Sequence, residues 1–104
     1  MSFHTLRLAE DEINEAARWY ADQQNRLAEE FIAEVEKTLA AIEEKPRSFP
    51  ALETLKTKKD IRRALIDRFP YLVIFEIRGE DTIVLAVSHT SRKPNYWKQR
   101  RIDG

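Results

Sequence analysis

Two apolar runs near the C-terminus constrain this chain more than any other feature. Tyr71 to Arg78 (YLVIFEIR) puts Tyr71, Val73, Phe75 and Ile77 on one side and Leu72, Ile74, Glu76 and Arg78 on the other. A period of two is the mark of a strand. Thr82 to Ser88 (TIVLAVS) is apolar on both sides, the pattern of a central strand covered on two faces. Gly79-Glu80-Asp81 between them supplies a tight turn, so the pair reads as a hairpin. The rest of the chain must cover that hairpin.

Ahead of it, Ile61 to Arg68 (IRRALIDR) reads as a third antiparallel strand, closed by Phe69-Pro70. Ser2 to Leu8 (SFHTLRL) alternates weakly, with His4, Leu6 and Leu8 on one side, and is expected to be the first strand. Glu10, Asp11 and Glu12 suit the first turn of a helix, where the dipole favours negative charge. Ile13, Ala16, Ala17 and Tyr20 then recur at helical spacing, which predicts a helix from about Glu10 to Gln23 with Trp19 at the edge of its stripe. Asn25 is the expected N-cap of a second helix. Its stripe is Leu27, Phe31, Val35, Leu39 and Ile42, and Pro46 ends it. Phe49 and Leu52 are expected to pin the following segment to the core, and Lys56, Lys58 and Lys59 to form a solvated basic loop. Pro94 fits the first turn of a short terminal helix.

The predicted fold class is therefore α+β: an N-terminal strand, then an antiparallel helical hairpin on a curved, mostly antiparallel sheet, then a short C-terminal helix or tail. Residues 1–104 read as one domain, since 104 residues support a single core.

Composition narrows the chemistry. There is no cysteine, hence no disulfide or thiolate metal site. His4 and His89 are the only histidines, and Gly79 and Gly104 the only glycines, so neither a metal centre nor a glycine-rich phosphate loop is expected. No cofactor is called for. No run approaches the ~20 apolar residues of a bilayer span, and the N-terminus lacks a signal-peptide pattern; a cytoplasmic protein with no membrane partner is expected.

The net charge is zero, but it is divided. Ala9 to Glu44 holds eleven acidic residues against three basic ones, a balance of −8; Lys45 to Gly104 holds fourteen basic against seven acidic, a balance of +7. The halves can attract each other, or the basic half can face an anionic partner. In the basic half, Arg62 and Arg63 precede the hairpin, and Arg92, Lys93, Tyr96 and Trp97 follow it, with Lys98, Arg100 and Arg101 at the end. An antiparallel sheet can bring these segments to one edge. Arginines grip carboxylates or phosphates in a fork, and aromatics stack on bases or fill a protein pocket. Trp97 equally suits a core anchor, the favoured reading, whereas Arg92 suits either role. His89 can act as a general base or simply close its strand by hydrogen bonding, and the second is favoured.

These pieces resemble the RelE/ParE superfamily of toxins from toxin–antitoxin pairs, over nearly the whole chain. The likeness lies in Trp19-Tyr20, in FIAEVEKTLAAIEEKPRSFP, in IRRALIDRFPYLVIFEI and in LAVSHTSRKPNYW. The series RRAL, FPYxVxF, AVxHxxRxPxYW is closer to ParE and its plasmid-stabilisation relatives than to RelE. The resemblance implies a toxin neutralised by a cognate antitoxin whose C-terminal segment wraps it, with operator DNA met only through the antitoxin. It implies one of two targets. ParE-like members poison DNA gyrase; RelE-like members cut mRNA on the ribosome with basic residues and often a tyrosine.

Leu72 stands where many relatives carry an arginine, and leucine can neither carry charge nor donate to phosphate. Losing a charge that stabilises a transition state costs about 10²-fold or more in rate. The expected function is thus a ParE-like, growth-arresting toxin that binds a protein target such as DNA gyrase, with Arg62, Arg63, Arg92, Lys93, Tyr96 and Trp97 as its contact residues and no assigned catalytic residue. The alternatives are a RelE-like endoribonuclease using Arg62, Arg63, Arg92 and Tyr96, and a non-toxic binding protein of the same fold.

Overall fold

The computed structural model describes residues 2–52 and 58–100. Lys56 of the basic run and Arg101 of the tail lie outside the described residues. The elements run β1 (Ser2–Thr5), α1 (Arg7–Gln23), α2 (Asn25–Glu44), a 3₁₀ turn (Pro46–Ser48), β2 (Asp60–Leu65), β3 (Tyr71–Arg78) and β4 (Asp81–His89). The sheet order is β1-β4-β3-β2, with β1 parallel to β4 and the other pairs antiparallel. The two strands with the clearest pattern are the two central ones. Gly79, at φ 63°, takes the left-handed position that their two-residue turn requires.

The N-terminus differs from its expected form. β1 stops at Thr5 and α1 starts at Arg7, about a turn earlier than expected. Leu6 N–H bonds Val84 O at 3.0 Å as the last sheet-like contact, and Glu10 N–H bonds Leu6 O at 3.0 Å as the first helical one. Leu8 is consequently half exposed and His4 exposed, while Ala9 is fully buried and begins the helical stripe. Of the three acids, only Glu10 falls in the first turn. Asn25 is not a cap either: Gln24 alone joins the helices, extended at φ −170°, and no side chain caps α2.

The hairpin covers one face of the sheet. Phe31, Val35 and Ile42 from α2 and Ala9 and Ala16 from α1 pack on Val73, Phe75, Ile77, Val84 and Val87. Tyr20, Phe31, Phe69 and Tyr71 close one end with tilted and edge-on ring contacts of 5.1–6.4 Å. The opposite face is covered too. Ile61, Ile74, Ile83, Leu85 and Ala86 pack with Leu6 and Trp97 there, and Leu52 and Tyr96 lie against them.

A bulge serves both faces. Ile74 pairs with Ala86 and Phe75 with Val84, which leaves Leu85 extra on β4. Leu85 and Ala86 therefore both join the far face, and Val87 returns to the helix side. After β4 the chain passes through turns rather than a terminal helix. Asn95 at φ 64° is left-handed, which breaks the helical run that Pro94 was expected to open. No helix among the described residues is long and apolar enough to cross a membrane.

Candidate functional site

The site is built where β4 outruns its neighbour. β1 pairs with β4 only as far as Thr5 and Val84, yet β4 continues to His89. Past Val84, the backbone groups on that side of β4 face no strand. Two side chains take its place. The Glu12 carboxylate accepts the Val87 N–H at 3.0 Å, and Arg100 Nη1 donates to Leu85 O at 2.9 Å. The two side chains also pair, with Arg100 Nη1 2.7 Å from Oε1 of Glu12 and Nη2 3.3 Å from Oε2.

Glu12 is the centre of a larger node. The Tyr96 hydroxyl donates to Glu12 Oε2, and Arg92 Nη1 lies 3.8 Å from the same oxygen. The Arg92 guanidinium sits 3.9 Å from the centre of the Tyr96 ring, and that of Arg100 sits 5.1 Å from it. Only 11% of the Glu12 side chain and 14% of that of Arg100 are exposed. Burial, followed by the bond to Glu12, raises the Tyr96 phenol above its ordinary range; contacts with Ser88 and Arg100 oppose this in part. α1 and the C-terminal segment are thus clamped together across the sheet edge.

Beside the node, on the far face, lies a cleft of about 310 Å³. Leu52, Leu72 and Ile74 give it aliphatic walls, and Arg63, His89 and Arg92 stand at its polar side. His89 is held within its own turn: its Nδ1 accepts the Ser91 N–H at 3.0 Å and lies 2.7 Å from Ser91 Oγ, and its ring meets Tyr71 edge-on at 5.1 Å.

The residues singled out from sequence are therefore separated into roles. Arg63 and Arg92 line one cleft, and Lys93 is exposed next to Arg92. Tyr96 is half-buried with its hydroxyl engaged. Trp97 is 2% exposed and belongs to the far-face core, so its ring is an anchor and not a surface. Arg62 is one position from Arg63 but faces the opposite side of the sheet, as period two demands. Its Nη1 donates to Arg47 O and Phe49 O, each at 2.8 Å, and its Nε to Asp60 at 2.9 Å. Arg62 ties the 3₁₀ segment to β2. Leu72 forms part of the cleft wall, where an arginine would bring a third guanidinium.

Glu12 and Arg100 were not singled out. The sequence does hold a signal for Glu12. It lies three residues after Ala9 and four before Ala16, both buried, so it occupies a core-facing position on α1. An acid there needs a partner. Nothing local identifies that partner as a residue 88 positions away.

Comparison with known proteins agrees with this architecture. A family model described as "ParE toxin of type II toxin-antitoxin system, parDE" matches residues 5–94. A solved structure described as "Chromosomal ParDE TA system from P. aeruginosa" superposes with a TM-score of 0.72 at 14% identity, over 86% of this chain and 95% of that one. At that identity the likeness is one of fold. No curated protein gives a significant match.

Proposed function

The chain belongs to the ParE toxin family of type II toxin–antitoxin systems, and on that premise we propose that it arrests growth by binding a protein target, DNA gyrase, and is neutralised by a cognate antitoxin. The observation that carries the reading is the state of the groups that could move a proton. The Tyr96 hydroxyl donates a hydrogen bond to Glu12 and keeps its proton, which burial holds on the phenol, and His89 is held through Nδ1 by Ser91. Leu72 stands in the cleft wall where a further charge would be needed. General acid–base chemistry by Tyr96 would first need its bond to Glu12 broken. The cleft offers two arginines and aliphatic surface, a combination suited to recognition.

The test is induction of the chain alone and together with an antitoxin. The proposal expects growth arrest only without antitoxin, and loss of supercoiling when purified gyrase is mixed with the purified chain. Toe-printing of mRNA in a translation extract provides the opposing result. Cuts in the ribosomal A site, abolished in Arg92→Ala, together with unaffected gyrase, would replace this reading with the endoribonuclease one.

A further inference from the structure

The two cleft arginines have unequal electrostatic surroundings. Arg63 is half-buried on β2, and its side chain makes no ion pair or hydrogen bond among the described residues. Arg92 shares one carboxylate with Arg100, and Arg100 is the closer, at 2.7 Å against 3.8 Å. One negative charge thus faces two positive ones, and Arg92 keeps 55% of its side chain exposed. Among the described residues, no carboxylate lines the cleft. A guanidinium drawn partly out of water without a counter-charge favours an incoming anion.

We propose that this cleft docks an extended acidic–apolar peptide segment of the target protein, with a carboxylate between Arg63 and Arg92 and an aliphatic side chain against Leu72 and Ile74. The inference rests on the protein-binding reading above and names the chemistry recognised. Its size is consistent: about 310 Å³ is at the lower end of ligand pockets, room for a few side chains. Nucleic acid fits less well. Single-stranded RNA is held by open aromatic faces on which bases stack. Trp97 is buried, and one face of Tyr96 is covered by Arg92. Leu72 has the opposite meaning for the two ligands: it withholds a phosphate contact but provides apolar surface to a peptide.

The experiment is an amide chemical-shift titration of the full chain with three probes: acetyl-Glu-Leu-Glu-Leu-amide, its Gln-for-Glu analogue, and a tetrauridylate. The acidic peptide is expected to shift Arg63, Leu72, Ile74 and His89, and to bind about tenfold more tightly than the neutral analogue, the scale of one charge-assisted contact. Added salt should weaken it. Arg63→Met, which keeps an unbranched apolar stem on the strand, should remove that preference with the thermal melt unchanged. Arg63→Glu should invert it. Equal binding of both peptides, or tighter binding of tetrauridylate at the same residues, would overturn the inference. The gyrase assay separates the two levels. Acidic-peptide docking by a chain that leaves gyrase untouched refutes the proposed function alone. Gyrase inhibition that survives both Arg63 variants refutes the docking site alone.

Discussion

Glu12→Ala is the most informative single change. It leaves the Val87 N–H without an acceptor, removes the carboxylate that accepts from the Tyr96 hydroxyl, and leaves Arg100 without its counter-charge, bonded to Leu85 O. An orphaned buried N–H costs about 1–3 kcal/mol. Breaking a buried ion pair costs about 3–5 kcal/mol when the remaining charge stays buried. Here the C-terminal segment can swing Arg100 out to water, which limits the total to about 3 kcal/mol, still a large part of the ~5–15 kcal/mol that stabilises a domain. With an unfolding entropy of ~2.1 cal/mol/K per residue, 104 residues give about 0.2 kcal/mol/K, so the midpoint should fall by roughly 14 °C. Glu12→Gln keeps one acceptor oxygen and should lose about half as much. Thermal and urea unfolding measure both. Amide exchange should accelerate at residues 95–100 more than in β3, because the clamp is local. The Glu12→Ala/Arg100→Ala double variant should be less unstable than the sum of the singles by about 1–3 kcal/mol. A midpoint shift below about 4 °C, or simple additivity, would show that the node does not hold the tail.

Three further outcomes follow from the same contacts. Trp97→Ala should cost about 3–5 kcal/mol as a core aromatic; with Trp97→Phe only the 57%-exposed Trp19 remains, so fluorescence should be readily quenched, whereas Trp19→Phe should leave an emission shielded from quencher. Arg62→Ala removes a charged donor from two carbonyls and should cost about 2 kcal/mol in urea unfolding, with faster exchange of the Leu52 amide that bonds Ile61 O. Burial raises the Tyr20, Tyr71 and Tyr96 phenols, so the folded state holds these protons more tightly than the unfolded one. That stability is present below the ordinary tyrosine pKa of about 10 and is lost as pH rises through the folded values. The urea midpoint should therefore decline above about pH 10, and more shallowly in Tyr96→Phe.

What was legible in the sequence was what repeats locally. The β3 and β4 runs, the α2 stripe and the Pro46 stop are short-range patterns, and each lies within a residue of its expected place. The failures have one physical character. His4, Leu6 and Leu8 alternate as a strand, but β1 parts from β4 after Thr5 and Val84 although β4 runs on to His89, and Leu8 then belongs to a helix. Arg62 and Arg63 read as a pair, but on a pleated strand neighbours point to opposite faces. Tyr96 read as a contact residue, but it lies half-buried against the far face of the sheet, which is apolar and is covered there by Trp97, the anchor that the sequence favoured.

The sequence by itself determined the fold class, the family likeness, and the absence of an arginine at Leu72. It also placed an acid on the buried side of α1. Only the tertiary structure decided what that acid does. The edge of β4 left bare past Val84 needs an acceptor for Val87 and a donor for Leu85, and the fold answers with Glu12 and Arg100 from opposite ends of the chain. Unpaired backbone groups at a sheet edge are a long-range consequence of strand lengths, and no local pattern encodes them.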